Sequence, residues 1–306
     1  MKISRRNVLS TMALGTAAIS FPASLAGKEA SSPSRFRYCL NTSTISGQGL
    51  DLLQYIEIAA AAGYDGIEIW VRDLQAALKA GHPISRIKEH VEKHDIRVEN
   101  AIGFAPWMAD GAQGFEQMEQ EMQMLAGIGC RRLAAPPAGV PADRDLDLFA
   151  TGEKYRKLLA LGRKTGVMPQ LEFWGSSPVL WHLGQVLMIA AVADDRDARI
   201  LPDVYHLFRG DSGFNALKML NGELIEVFHL NDYPTSKPRE EQGDADRIFP
   251  GDGGAPWRQI LTDLKNMGGE KVLSLELFNR SYWEKDPLEV ARTGLLKMKS
   301  LVEEIA

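Results

Sequence analysis

The chain has 306 residues and a formal net charge of −5, with 45% hydrophobic and 25% charged residues. These are ordinary values for a globular protein, and the length suits one large α/β domain or two small ones. An acidic chain without a run of basic residues argues against nucleic acid and anionic membranes as partners.

The first 26 residues have the pattern of an export signal. A basic start precedes a weakly apolar stretch and then small residues, in MKISRRNVLSTMALGTAAISFPASLA, which is typical of a secretory signal. The pair Arg5-Arg6 in SRRNVL resembles the twin-arginine export signal. We therefore predict a signal peptide over 1–26, a polar linker over 27–35 and a catalytic domain over 36–306. The mature protein is expected in the periplasm without stable membrane association, and an uncleaved membrane anchor is the alternative.

After the linker, short apolar runs alternate with helical patterns. The runs predict strands at 36–42, 66–71, 96–104, 131–136, 168–174, 198–204, 225–231 and 272–278. Apolar residues recur every three or four positions between them, which predicts helices at 50–62, 83–94, 113–127, 146–165, 178–193, 214–221, 257–267 and 286–304. Eight strands alternating with eight helices predict one (β/α)8 TIM barrel. An open doubly wound sheet is the alternative, but no G-x-G-x-x-G follows the first strand.

Four predicted strands end on a side chain that can bind a metal. These side chains are Glu172, Asp203, His229 and Glu276. A parallel barrel places its chemistry at the carboxyl ends of its strands. Three carboxylates and one imidazole form a set of ligands for one divalent cation. Oxygen-rich coordination favours Mn²⁺, with Mg²⁺, Co²⁺ and Zn²⁺ as alternatives.

Several fragments together resemble the xylose isomerase-like TIM barrel family of sugar isomerases and epimerases. They are GYDGIEIW, QLEFWG, LPDVYHLFRGD, VFHLNDY and LSLELFN, and the resemblance covers most of residues 36–305. It implies that Glu172 and Glu276 are metal ligands that also act as acid and base. It further implies that Asp203 and His229 are ligands only.

Six side chains are candidates for substrate binding. The resemblance implies that His206 contacts a substrate oxygen and that Glu68 lines the pocket. Trp174 could stack on a sugar ring, and Asn41 could bond its hydroxyls, with packing and turn capping as alternatives. Asp232 could hold an imidazole or a loop. Arg280 could replace an arginine that epimerases of the family often carry soon after the imidazole ligand.

The predicted activity is metal-dependent isomerisation or epimerisation of an unphosphorylated sugar, keto-sugar or cyclitol. A carboxylate would move a proton next to a carbonyl, and the cation would stabilise the enediolate. The missing arginine keeps a metal-dependent lyase or dehydratase open, and a non-catalytic sugar-binding protein is a second alternative. Assembly as a homo-oligomer and a disulfide between Cys39 and Cys130 also stay open.

Overall fold

The computed structural model describes residues 35–305. The predicted signal peptide, 1–26, and the linker up to residue 34 lie outside the described residues. Within the described part, no helix is both long and apolar enough to cross a membrane.

Parallel strands form the wall of a barrel and follow one another around it in chain order. They are β1 (Arg35–Asn41), β2 (Gly66–Trp70), β3 (Arg97–Ile102), β4 (Arg132–Ala135), β5 (Met168–Glu172), β6 (Ile200–Leu201), β7 (Val227–Leu230) and β8 (Glu270–Leu275). One sheet has the order β3-β2-β1-β8-β7 and the other the order β4-β5-β6. Single parallel bridges, Ile200–Ile225 and Asp203–His229, join the two sheets. The prediction of a TIM barrel is confirmed, with strand bounds close to those expected.

Helices surround this wall. They are α1 (Leu52–Ala62), α2 (Val71–Lys79), α3 (Ile84–Lys93), α4 (Gln113–Gly127), α5 (Leu148–Thr165), α6 (Leu183–Ala193), α7 (Val204–Arg209), α8 (Trp257–Asn266), α9 (Arg280–Trp283) and α10 (Pro287–Glu303). Three were not predicted, namely α2, α7 and α9. The helix predicted at 214–221 was wrong, because only the 3-10 turn Leu217–Met219 forms there.

The apolar core has two layers. A large cluster lies between the strands and the helices, and Cys130 belongs to it. A small cluster of other buried side chains includes Cys39 on β1, Trp70 at the end of β2 and Val227 on β7. The wall separates the two clusters because neighbouring residues of a strand point to opposite faces. Cys39 and Cys130 are both buried and unpaired, so the disulfide that was left open does not form.

Aspartate caps begin several helices and set where they start. Asp147 accepts hydrogen bonds from the backbone N–H groups of Phe149 and Ala150 at the start of α5. Asp203 does the same for His206 in α7. The second cap matters for function, because it places a strand-end carboxylate and a helical imidazole one turn apart.

Candidate active site

The four predicted ligands all lie at the carboxyl end of the barrel. Glu172 is the last residue of β5, Asp203 caps α7, His229 lies in β7 and Glu276 directly follows β8. All four are nearly or fully buried. The parallel strands bring them to one edge although up to 104 residues separate them in the chain.

Three of the four form a tight cluster. His229 Nδ1 lies 3.2 Å from Glu276 Oε2 and 3.6 Å from Asp203 Oδ2. One ligand atom from each of these residues lies within 4.8 Å of the others. Glu172 is outside this group of three, but it borders a cavity that Glu276 also borders. The predicted set therefore separates into a cluster of three residues and a fourth carboxyl group facing it.

This cluster fits a divalent cation. His229 Nδ1 is buried and has no hydrogen-bond partner. Its other nitrogen, Nε2, lies 3.0 Å from Glu68 Oε1. A carboxylate that holds the outer nitrogen of an imidazole is the usual support of a metal-binding histidine. The unpartnered nitrogen beside two carboxylates is therefore oriented as a metal ligand would be.

Glu68 lies beneath the cavity and does not line it. It accepts hydrogen bonds from Asn41 Nδ2 at 2.9 Å, Asn100 Nδ2 at 2.7 Å and Ser274 Oγ at 2.5 Å. Burial raises its pKa, but His229 and these donors outweigh burial and hold the pKa of Glu68 below its ordinary value. The structure thus gives Glu68 the task of orienting His229, where the sequence had predicted contact with substrate.

Asn41 is also fully engaged with protein atoms. Its Nδ2 donates to Glu68 Oε2 at 2.9 Å and to Glu276 Oε1 at 3.1 Å. Its Oδ1 accepts from Trp70 Nε1 and from the backbone of Ser43. An amide with both ends bonded positions Glu276 and has no free group for a substrate hydroxyl.

An arginine that the sequence analysis missed enters the site from the loop between β7 and α8. Arg247 is 1% exposed. Its Nη1 donates to Glu276 Oε2 at 2.8 Å and to Asp203 Oδ2 at 3.0 Å. Its Nη2 donates to Asp244 Oδ1 at 2.7 Å and lies 3.1 Å from His206 Nε2. No periodic pattern marks such a residue, and the length of the loop was the one available signal.

Arg280 does not take this place. It is exposed at the start of α9 and does not border the cavity. The family resemblance led us to expect an arginine soon after His229. The arginine that reaches the site is Arg247, 18 positions further along the chain.

Asp232 organises the loop that carries Arg247. Its carboxylate accepts hydrogen bonds from the N–H groups of Gly251, Gly253 and Ala255 and from Trp257 Nε1, at 2.7 to 3.1 Å. The backbone N–H of Asp232 donates to the carbonyl oxygen of Ile248, and the N–H of Ile248 donates to the carbonyl oxygen of Asp232. Of the two roles predicted for Asp232, the structure shows that of holding a loop. The N–H groups of Gly251 and Gly253 in this loop are therefore bonded to the Asp232 carboxylate.

A cavity of about 240 Å³ opens above the cluster. Glu172, His206, Arg247 and Glu276 face it as polar groups. Its remaining walls include four aromatic rings, which are Trp70, Phe104, Trp174 and Phe278. Trp70 contacts Phe104 and Phe278 with ring centroids 5.3 and 6.0 Å apart, and Phe104 contacts Trp174 at 6.0 Å. The predicted ring-stacking residue Trp174 is thus one part of an aromatic collar.

Burial shifts the pKa values of two polar groups that border the cavity. Burial, and then the charge of Glu276, raises the pKa of Glu172 to about 8. Burial lowers the pKa of His206 to about 4, with Arg247 adding to the effect and Asp203 opposing it. Glu172 Oε2 is buried and has no hydrogen-bond partner. The cavity is therefore lined by a carboxyl group with one unpartnered oxygen and by a neutral imidazole.

Comparison with known proteins places this architecture. The model of a family described as "Xylose isomerase-like TIM barrel" matches residues 56–301. An inosose isomerase of Bacillus velezensis is 25% identical over 268 residues, which cover 84% of this chain and 94% of that protein. A 3-dehydroshikimate dehydratase of Pseudomonas aeruginosa is also 25% identical over 268 residues, covering 85% of this chain but 41% of that protein.

Solved structures show the same fold. The IOLI protein with a bound zinc atom superposes with a TM-score of 0.80 at 21% identity, covering 88% of this chain and 99% of that one. A D-psicose 3-epimerase solved in the presence of D-fructose has a TM-score of 0.68 at 15% identity, covering 87% and 99%. The family match spans most of the chain and agrees with the barrel fold of the structure, so this protein belongs to the xylose isomerase-like TIM barrel family.

Proposed function

We propose that this protein is a divalent-metal-dependent isomerase that moves a proton next to the carbonyl of a neutral keto-cyclitol or keto-sugar. One observation carries the proposal. Two carboxyl groups from different strands, Glu172 and Glu276, face the same cavity, and the Asp203–His229–Glu276 cluster lies at its base. The names of the relatives, which include isomerases, epimerases and a dehydratase, support this reaction class.

The cluster would hold the cation through Asp203, His229 and Glu276, with Glu172 completing the set. A bound divalent cation supplies Lewis-acid stabilisation of the negative charge that develops on the substrate oxygens. Mn²⁺ is the cation we propose, since carboxylate ligands outnumber the imidazole.

The chain's own residues would divide the remaining work. One of Glu172 and Glu276 takes the proton from the hydroxyl-bearing carbon beside the carbonyl, and the other gives a proton to the former carbonyl carbon. A proton also passes between the two oxygens, so that the hydroxyl becomes the new carbonyl. His206 and Arg247 border the cavity and would contact substrate oxygens, Arg247 through its Nε, which has no hydrogen-bond partner. The aromatic collar would cover the ring faces and keep water out.

The charges around the cavity favour a neutral substrate. Arg247 is the one basic side chain, lysine or arginine, among the described residues that border the cavity. It is already paired with Asp203, Asp244 and Glu276. A phosphate or carboxylate on the substrate would find acidic neighbours and no unpaired lysine or arginine among the described residues that border the cavity. An inosose or an unphosphorylated keto-sugar matches the cavity better than 3-dehydroshikimate does.

The test is solvent exchange with a panel of substrates. Metal-reconstituted protein is incubated in D₂O with inososes, keto-sugars and 3-dehydroshikimate, and carbon-bound deuterium is followed by NMR. We expect labelling beside the carbonyl of a neutral substrate, and none after chelation. Binding without labelling of any substrate would indicate a sugar-binding protein. A product lighter by one water would indicate a dehydratase, and preference for the carboxylate substrate would contradict the argument from charge.

We also propose that the protein is exported through its N-terminal segment. The support is the sequence of residues 1–26, which lie outside the described residues. The substitutions Arg5→Lys and Arg6→Lys together should keep the precursor in the cytoplasm. Fractionation of cells that express both forms is the measurement, and normal periplasmic accumulation of the variant would remove the twin-arginine assignment.

A further inference from the structure

A second group of metal-binding side chains lies on the outer layer of helices. His90 and His94 are four residues apart on α3 and at its end, so they share one face of that helix. Glu57 projects from α1 toward them, with its Oε1 3.4 Å from His90 Nε2. The two imidazole rings have centroids 4.6 Å apart. None of the three residues borders the cavity of the active site.

The three side chains are arranged for a common ligand. One nitrogen from each imidazole and one carboxylate oxygen lie within 4.8 Å of one another. Tetrahedral ligands about 2.1 Å from a zinc ion are about 3.4 Å apart, so small rotations would close the group around one ion. Glu57 has 53% of its side chain exposed and is free to make that adjustment.

One atom of the group lacks a partner in the protein. His94 Nε2 is buried and makes no hydrogen bond. His90 Nε2, by contrast, lies 3.2 Å from the backbone oxygen of Leu53. A buried polar atom without a partner is unfavourable, and a cation bound to His94 Nε2 would supply that partner.

We propose that Glu57, His90 and His94 form a second metal site, which takes a borderline cation such as Zn²⁺. Two imidazoles and one carboxylate favour Zn²⁺, Ni²⁺ or Cu²⁺ over Mg²⁺ and Ca²⁺, which prefer oxygen ligands. The partly exposed position leaves a fourth place for water. The ion would tie α1 to α3 on the outside of the barrel, and it would stabilise the folded state because the unfolded chain does not hold the three ligands together.

The experiment counts Zn²⁺ bound to untagged protein. Chelator-treated protein is dialysed against Zn²⁺, and the metal content is measured by mass spectrometry. We expect two equivalents in the wild type, one of them lost in the double variant His90→Gln/His94→Gln. The matched control is His82→Gln, which changes a histidine of the neighbouring loop outside the group and should retain both. Zn²⁺ should raise the Tm of the control by more than that of the double variant.

A second variant guards against a folding defect. Glu57→Gln keeps the helix surface nearly unchanged and should weaken binding at this site by about tenfold or more, as judged by calorimetric titration. Full Zn²⁺ content in the double variant, or unchanged affinity in Glu57→Gln, would overturn the proposal. Turnover at the active site should be the same in all three variants, so failure here is distinct from failure of the proposed isomerase activity.

Discussion

The two ends of the barrel both contain charged side chains, but they use them differently. At the amino end of the strands, which we call the barrel floor, ion pairs connect Glu99, Arg132, Glu226 and Arg199. Arg132 Nε lies 2.6 Å from Glu226 Oε2, and Arg199 Nε lies 2.9 Å from Glu226 Oε1. Arg132 also contacts Glu99 at 3.2 Å.

The carboxyl end, the barrel mouth, does not balance in this way. Asp203 and Glu276 share one arginine, Arg247, and Glu172 Oε2 has no hydrogen-bond partner. The pKa values follow this difference. Burial raises the pKa of both Glu172 and Glu226, but the two arginines reverse the effect for Glu226, whose pKa is lowered. Arginine partners, rather than burial itself, account for the difference between Glu226 at the floor and Glu172 at the mouth.

The largest difference in turnover is expected between two variants that each replace one carboxyl group, one at the mouth and one at the floor. Glu172→Gln removes a proton-transfer group and should slow turnover by about 10²–10⁴. Glu226→Gln, at the floor, should leave turnover near the wild-type value. Deuterium exchange with metal content matched is the measurement. Equal loss in both variants would mean that the carboxyl groups at the two ends do not have separate roles.

Metal removal should affect the barrel mouth and leave the ion pairs of the barrel floor unchanged. Chelation leaves Asp203, Glu172 and Glu276 facing one another, so turnover should be lost and the Tm should fall. Return of Mn²⁺ should restore both. Asp203→Asn should make the Tm nearly insensitive to Mn²⁺, since it removes a ligand. A Tm that stays constant through removal and return would contradict a cation at this cluster.

Loosening the loop that Asp232 holds should lower activity at the barrel mouth. Asp232→Ala removes the acceptor of several backbone N–H groups, so Arg247 should lose its fixed position. We expect kcat/KM to fall by at least about tenfold, in line with the loss of a supporting residue. Hydrogen exchange over 247–255 should accelerate at the same time. Asp252→Ala is the control, because Asp252 lies in the same loop and pairs with Lys297 at the surface. Comparable loss in the control would show that the hydrogen bonds of Asp232 are not the cause.

The ion pairs at the barrel floor should contribute to the free energy of unfolding, and that contribution should depend on pH. Glu226→Gln removes charged hydrogen bonds and should lower the free energy of unfolding by about 1–2 kcal/mol, a value reduced because the site is partly exposed. The pKa of Glu226 is lowered in the folded state. The advantage of the wild type should therefore be complete above the ordinary pKa of glutamate, about 4.3, and disappear as the pH falls through the lower folded value. Urea unfolding at neutral and acidic pH measures this, and a difference that persists in acid would be inconsistent with the ion pairs.

The smallest effect is expected away from both ends. Asp147→Ala removes the cap of α5 and should lower the stability by about 1 kcal/mol without changing turnover. Asp145→Ala, two residues earlier in the exposed loop, is the matched control and should have no measurable effect. Thermal unfolding of the two variants under one condition makes the comparison.

Local patterns in the sequence were enough to predict the barrel and to place polar side chains at its strand ends. The alternation of apolar runs with helical repeats located all of the observed strands, and Glu172, Asp203, His229 and Glu276 followed from their ends. Helix α2 was missed because it begins directly at the end of β2 with no intervening loop.

The missed parts of the site depend on contacts that no local pattern contains. Arg247 lies in a loop that Asp232 holds through backbone bonds to Ile248 and side-chain bonds to the residues that follow. Glu68 and Asn41 were predicted to face substrate, but the structure shows them bonded to each other and to His229 or Glu276. Strand alternation says which side of the wall a residue takes, while its depth inside the barrel depends on the neighbouring strands.

The two cysteines are natural reporters of how this wall opens. Burial raises the pKa of Cys130 to about 12 and that of Cys39 well above its ordinary value, so neither offers a reactive thiolate near neutral pH. Cys39 and Cys130 belong to the two different layers of the core. Alkylation of either therefore requires a local or global opening of its own layer. Comparing the labelling rates of the two thiols would show whether the helices separate from the wall before the wall itself comes apart.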